Sequence, residues 1–353
     1  MHQAKLILET GEVFEGVSPQ WVKEENFGEI VFNTGMVGYN EVLTDPSYKG
    51  QIVVFTYPMI GNYGVELSEN WESDRIHAAG LVVSELAPFY AREKGQMSLE
   101  DWCKKAKTPI IANIDTRALA KVLRNHGVVA GAIVVGKKIP KTFPDINEKH
   151  LVKEVSIKKP IEEKKGDKKI IVVDCGMKAN IWRHFCSYDD ISLKRVPFDY
   201  DYTNEDYDGV FISNGPGDPA VCVETVEVLK KSMQKNKDKP LFGICLGAQI
   251  MGLAIGAETY KLKFGHRAQN HPCLDETTNR CYLTSQNHGY CVKEETLPKD
   301  WRVSFRNLND QSIQGIEHKS LPYFSVQFHP EAAPGPVDTA WLFDRFVENV
   351  RKS

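Results

Sequence analysis

From residue 170 onward the chain alternates short apolar runs with segments of helical spacing, and this alternation restricts the fold more than any other feature. Residues 170–173 (Ile-Ile-Val-Val), 210–213 (Val-Phe-Ile-Ser) and 241–244 (Leu-Phe-Gly-Ile) have the length and β-branched or aromatic content of buried strands. Between them, 178–186 sets Ala179, Trp182 and Phe185 at helical spacing, and 223–233 reads as a further helix. Strands that alternate with crossover helices build a mostly parallel sheet with helices on both faces. Such sheets hold their ligands beyond the carboxyl ends of the strands.

The first half reads differently. Leu6 and Leu8 alternate with polar neighbours, Thr10-Gly11-Glu12 makes a turn, and Val13, Phe14 and Val17 continue as a strand. Residues 30–32, 52–55 and 130–135 are further strands. A helix is expected over 115–126, with Asp115 as N-cap, an apolar stripe of Leu119, Val122 and Leu123, and Gly127 at the stop. The expectation is a strand-rich α/β domain over 1–150, a solvated charged linker over 151–168 with its boundary near Lys165, and the parallel-sheet domain over 169–353. The linker follows from lysines 153, 158, 159, 164 and 165 mingled with Glu154, Glu162, Glu163 and Asp167.

A chain of 353 residues with 44 basic and 47 acidic side chains carries a formal charge of -3, which gives no electrostatic reason to expect nucleic acid or a membrane surface. The opening residues lack a basic-then-apolar export pattern, and the most apolar long stretch, 241–257, falls short of a membrane span. The eight cysteines form no CxxC pair. Scattered thiols without an export signal point to the cytoplasm.

The chemistry concentrates in a few short motifs. Gly243-Ile244-Cys245-Leu246-Gly247 has the G-x-nucleophile-x-G form of a nucleophile elbow, where an apolar strand enters a helix. Its glycines permit a tight turn that lifts Cys245 off the sheet, and the helix N-terminus behind it favours the thiolate. Later in the chain, an alternating segment ends in His329-Pro330-Glu331. Proline biases His329 toward extended backbone, where residues two apart face one way. Glu331 is therefore expected to hold the His329 ring, whose other nitrogen serves Cys245. Asn214-Gly215-Pro216-Gly217-Asp218-Pro219 is a turn with backbone N–H groups that can hold an oxyanion. Gln286-Asn287-His288-Gly289-Tyr290 reads as a polar loop able to recognise an amide or amino-acid head group. His266, His271 and Cys273 lack a matching second pair of ligands for zinc.

Together these motifs resemble the class I, triad-type glutamine amidotransferases, which implies a flavodoxin-like fold for the second domain. The likeness extends to the family of small, glutamine-hydrolysing subunits of carbamoyl-phosphate synthase. It is carried by Asn33-Thr34-Gly35-Met36-Val37-Gly38-Tyr39, Leu43-Thr44-Asp45-Pro46-Ser47-Tyr48 and Ile114-Asp115-Thr116-Arg117 in the first half. In the second half it is carried by Asp174-x-Gly176-x-Lys178-x-Asn180-Ile181, Phe264-Gly265-His266-Arg267, Asn270-His271-Pro272 and the run 330–336. The resemblance implies Cys245 as nucleophile, His329 as base and Glu331 as its orienter. It implies Gly215, Gly217 and Leu246 around the γ-carboxamide, and Gly35, Gln249, Asn287, Gly289 and Tyr290 as glutamine contacts.

The chain departs from the family at Gly35, where some members carry Ser, at Ala248, where His is frequent, and at Ala268, where glycine is frequent. The resemblance also implies a large partner chain that makes carbamoyl phosphate for pyrimidine and arginine synthesis. ATP and divalent metal belong there, and no cofactor is expected in this chain, which has no P-loop. A non-catalytic regulatory scaffold, another triad amidotransferase and a cysteine peptidase are the alternative readings.

Overall fold

In the second half, each strand run sends alternate residues to opposite faces. Ile170, Val172, Phe211, Phe242 and Ile244 pack with Ile181 and Phe185 and with the C-terminal helix residues Phe343, Phe346 and Val350. Ile171, Val173, Val210, Ile212 and Leu241 face the other way, against Val228, Leu229, Ile250 and Met251. A strand buried on both faces reads as a continuous apolar run, which is why these segments show no polar alternation. Each fully buried phenylalanine contributes roughly 1.5–3 kcal/mol.

These features come from a computed structural model that describes residues 1–91, 95–136 and 140–353. The chain divides into two compact units, Met1–Lys149 and His150–Ser353. Among the described residues no helix is long and apolar enough to cross a membrane.

The second unit holds a ten-stranded sheet among the described residues. Its parallel part runs Ile191–Pro197, Lys168–Asp174, Gly209–Ile212, Leu241–Ile244 and Tyr323–Val326 in spatial order. Taken in chain order, this is the 2-1-3-4-5 arrangement of flavodoxin-like sheets, so the fold expected from the resemblance is present. Antiparallel strands extend it through Ile313–His318 and Trp301–Asn307 to the long pair Thr259–Asp275 and Arg280–Val292. Helices Ala179–Cys186, Val223–Lys235, Leu246–Ala254 and Trp341–Lys352 flank it.

The first unit contains a mixed seven-stranded sheet among the described residues, with helices Tyr39–Thr44, Leu99–Ala106 and Thr116–His126. The last of these starts at the expected cap, where Asp115 Oδ1 accepts the Ala118 N–H at 2.8 Å, and stops at Gly127.

Two expectations are corrected. Residues 151–168 do not form a free solvated linker. Leu151 and Val152 are buried, and Ile161–Glu163 pairs antiparallel with Ile191–Pro197 as a sheet edge. Charge on an edge strand guards it against pairing with other chains, so the same composition serves a strand as readily as a tether. Residues 286–290 are not a loop either. They lie inside the strand Arg280–Val292, with His288 opposite His266 and Asn287 opposite Arg267. The side chains of Gln286, Asn287 and His288 are buried, with Gln286 Oε1 3.0 Å from His288 Nε2, and a polarity pattern cannot reveal that arrangement.

Candidate active site

The elbow is built by two glycines. A Cβ on Gly247 would stand 2.1 Å from the Ile212 carbonyl oxygen, and one on Gly243 would stand 2.7 Å from the Gly247 backbone. Only bare backbone lets the helix start press this close to the sheet. Between the glycines, Cys245 takes φ 56 and ψ -105, a conformation that costs a non-glycine residue about 1–3 kcal/mol. Its N–H bonds the Val326 carbonyl at 2.9 Å, and its own carbonyl accepts the Ala248 and Gln249 N–H groups at 3.1 and 3.3 Å. Leu246 is the first residue of the helix Leu246–Ala254, a position whose N–H has no partner inside a helix.

The elbow motif predicts a thiol standing clear of the sheet, and here the structure differs. Cys245 is only 2% exposed, and its Sγ lies 3.5 Å from the Asn287 carbonyl oxygen. The strand Arg280–Val292 closes over the elbow.

His329 and Glu331 face each other, with Nδ1 2.6 Å from Oε1. The cause is a turn rather than an extended chain. The strand ends at Val326, the His329 N–H bonds the Ser285 carbonyl at 2.9 Å, and the Ala332 N–H returns to the His329 carbonyl at 3.1 Å. Ala332 and Ala333 then both take positive φ, of 55 and 48. This backbone is pinned from the other side of the sheet end. Lys178 Nζ reaches Glu331 Oε1 at 3.0 Å and the Ala332 carbonyl at 2.6 Å, and Asn180 Nδ2 donates to the Glu331 carbonyl.

Lys178 is itself placed by loops at the switch point of the sheet. Its N–H bonds Asn214 Oδ1 at 3.0 Å, Asn214 Nδ2 bonds the Gly176 carbonyl at 3.1 Å, and Asp174 Oδ1 accepts the Gly176 and Met177 N–H groups. Lys178 and Asn180 belong to the motif 174–181, yet the sequence assigns them no role. A lysine just past an apolar strand, within a glycine-bearing turn, is the available signal.

The electrostatics follow from this packing. Burial opposes a charged His329, but the Glu331 carboxylate and the Cys245 thiol outweigh it and raise the imidazole to about 10. Burial likewise opposes a charged Glu331, and the Lys178 and His329 cations overcome it, lowering the carboxyl to about 2. His329 Nε2 has no hydrogen-bond partner among the described residues, so the nitrogen opposite the Glu331 contact is left for proton transfer. Burial pushes the Cys222 and Cys273 thiols up to about 12 and holds Cys175 well above its ordinary value.

Among the remaining expected site residues, Gln249 Nε2 bonds the Tyr290 carbonyl at 2.8 Å and Gln327 Oε1 at 3.1 Å. Asn287, Gly289 and Tyr290 share one strand. Gly215 lies against Leu246, since a Cβ on it would meet the Leu246 side chain at 2.8 Å and the Cys175 carbonyl at 2.1 Å. Gly217, at φ +88, faces Leu151. Gly35 belongs to the first unit, where its N–H bonds Asn33 Oδ1 at 2.7 Å. Gln327, buried against Gln249, escapes sequence reasoning because an isolated glutamine in a strand-like run has no distinguishing pattern.

Comparison with known proteins bears on both units. Residues 171–349 match the family described as glutamine amidotransferase class-I, and residues 6–133 match the carbamoyl-phosphate synthase small chain, CPSase domain. The chain is 48% identical over 359 residues to the multifunctional protein CAD of Squalus acanthias, covering 99% of this chain and 16% of that one. It is 45% identical to the multifunctional protein pyr1-3 of Dictyostelium discoideum, again spanning only 17% of that length. The carbamoyl phosphate synthase arginine-specific small chain of Aspergillus oryzae is 45% identical over 366 residues, covering 99% of this chain and 81% of that one. A solved structure of a glutamine amidotransferase from Thermotoga maritima aligns over 52% of this chain and 83% of its own, at 20% identity and a TM-score of 0.38. With both domains matched and 81% of a dedicated small chain covered, this chain belongs to the carbamoyl-phosphate synthase small-chain family, whose second domain is a class I glutamine amidotransferase.

Proposed function

We propose that the chain is the glutamine-hydrolysing subunit of a carbamoyl-phosphate synthase, with Cys245, His329 and Glu331 as its catalytic triad. The observation that carries this reading is the buried His329–Glu331 pair at 2.6 Å, electrostatically coupled to a cysteine held on a strained elbow.

The reaction follows from these positions. The Cys245 thiolate attacks the γ-amide carbon of L-glutamine, and the carbonyl electron pair moves onto oxygen. The Leu246 N–H at the helix start, with the backbone of Gly215 and Gly217, holds that oxyanion. As the oxyanion collapses, the C–N bond breaks and the His329 imidazolium gives its Nε2 proton to the departing ammonia. A γ-glutamyl thioester remains. Water, deprotonated by His329, cleaves it to glutamate and restores the thiol. Glu331 keeps its charge throughout and stabilises the imidazolium. Gln249, Asn287, Gly289 and Tyr290 are the proposed glutamine contacts.

The ammonia passes to a large partner chain, forming at least a heterodimer, where bicarbonate and ATP yield carbamoyl phosphate for pyrimidine and arginine synthesis. ATP and divalent metal act on that chain, and this one works in the cytoplasm without a cofactor of its own. Cys245→Ser is the test: glutamine-driven synthesis by the complex is lost while ammonia-driven synthesis persists. Equal loss of both would refute the division of labour.

A further inference from the structure

The segment that carries His329 touches the nucleophile's helix twice. The Val326 carbonyl takes the Cys245 N–H at 2.9 Å, and the next residue, Gln327, meets the side chain of Gln249. Gln249 stands one helical turn beyond Cys245, whose carbonyl accepts its N–H at 3.3 Å. Both glutamines are buried, and Gln327 is anchored by its own N–H, which bonds the Gln314 carbonyl at 2.9 Å.

The contacts fix which way the Gln249 amide faces. Its nitrogen lies 2.8 Å from the Tyr290 carbonyl oxygen, which can only accept, so the NH2 group and not Oε1 stands there. The reversed amide would set two acceptor oxygens 2.8 Å apart. The same NH2 group meets Gln327 at 3.1 Å, so Gln327 presents Oε1 to it. Tyr290 and Gln327 thus take one hydrogen each. A single hydrogen bond would leave the amide free to swing about it. Two set its plane and turn Gln249 Oε1, an acceptor, away from both.

Gln327 Nε2 has no hydrogen-bond partner among the described residues, and a buried donor left over is costly. An apolar side chain would fill the same space without that cost, so packing does not account for a glutamine here.

We infer that Gln327 is a positioning residue for the glutamine site. It holds the Gln249 amide so that Oε1 is offered to a hydrogen-bond donor of the substrate, its α-ammonium or amide N–H, and not to its carboxylate. The substrate part of this inference rests on the proposed glutaminase reading; the setting of the Gln249 amide does not.

Two measurements on the full chain separate the two. In NMR of protein with nitrogen-labelled glutamine side chains, hydrogen bonding shifts both Gln249 Nε2 protons downfield. Gln327→Met, which keeps the side-chain length without the amide, removes the shift of one. In glutamine hydrolysis this variant raises KM by about three- to tenfold with kcat within about twofold, the scale of one neutral hydrogen bond. Gln327→Glu, which still offers an oxygen to Gln249, recovers most of the loss. In a Gln249→Leu background Gln327→Met changes KM by less than about twofold, because the two residues act through one contact. Unchanged Gln249 resonances in Gln327→Met overturn the inference, as does an undiminished KM effect in the Gln249→Leu background. A wild type inert toward glutamine but showing the resonance change instead overturns the glutaminase reading.

Discussion

Lys178 Nζ lies 3.0 Å from Glu331 Oε1, and the two side chains are only 4% and 0% exposed. The carboxylate that holds the His329 imidazole, the proposed catalytic base, is thus itself held by a buried cation from the opposite end of the domain's sequence. Glu331 bonds His329 through the same oxygen, so a single carboxylate sits between two positive groups.

Removing that cation leaves a buried carboxylate short of a partner. Lys178→Leu is expected to destabilise the protein by about 3–5 kcal/mol. It also shifts the acid limb of the glutaminase pH–rate profile upward, because Glu331 loses its largest charge-stabilising neighbour. Urea unfolding and the pH profile check the two effects. Unchanged stability together with an unchanged acid limb would contradict this role for Lys178.

The pH dependence of stability has a definite sign at each end. His329 is raised to about 10, so its share of stability is complete below the unfolded value near 6.5 and is lost as pH climbs through about 10. Glu331 is lowered to about 2, so its share is complete above 4.5 and is lost as pH falls through about 2. The difference in unfolding free energy between wild type and Glu331→Gln should therefore be flat between these two unfolded values and shrink on both sides. Chemical denaturation across pH measures it, and a difference that grows from neutral toward alkaline pH would be the wrong sign.

Gly215 and Gly217 are both turn glycines, but they should respond differently to alanine. At Gly215 the new methyl would lie 2.1 Å from the Cys175 carbonyl, a rigid backbone atom. At Gly217 the nearest atom is Leu151 Cδ1 at 3.6 Å, and the penalty comes only from φ +88. Gly217→Ala is expected to cost roughly 1 kcal/mol. Gly215→Ala should cost clearly more and displace the loop against Leu246. Thermal unfolding ranks the two, and equal losses would show that close approach is not what requires glycine at 215.

Phe242 joins the two halves of the aromatic core, stacking on Phe324 with ring centroids 4.5 Å apart and meeting Phe211 edge-on at 5.4 Å. Phe242→Ala is expected to cost about 3–5 kcal/mol. Its strand ends at the elbow, so glutaminase activity should fall at temperatures where the protein remains folded. Calorimetry and activity on the same sample test both.

The elements that can be read from the chain are those set by local periodicity. The strand Leu241–Ile244 and the helix Thr116–His126 lie where the apolar pattern and caps place them, because burial on two faces or along one stripe leaves a direct trace in residue order. The polar segment 286–290 reads wrongly as a loop, because its partners, His266 and Gln249, come from other elements. The edge strand Ile161–Glu163 reads wrongly as a tether, because charge marks solvent exposure without distinguishing coil from edge.

Residue order alone determined the alternation that produces a parallel sheet, the glycines that allow a bend at Cys245, and the type of each group in the expected triad. Only the tertiary structure decided that His329 and Glu331 meet through a turn, that Lys178 neutralises the carboxylate, and that Asp310 and His266 stand behind His288. Periodicity reports which way a side chain points along its own element. Hydrogen bonds and ion pairs between distant segments depend on distances that the packed sheet alone creates.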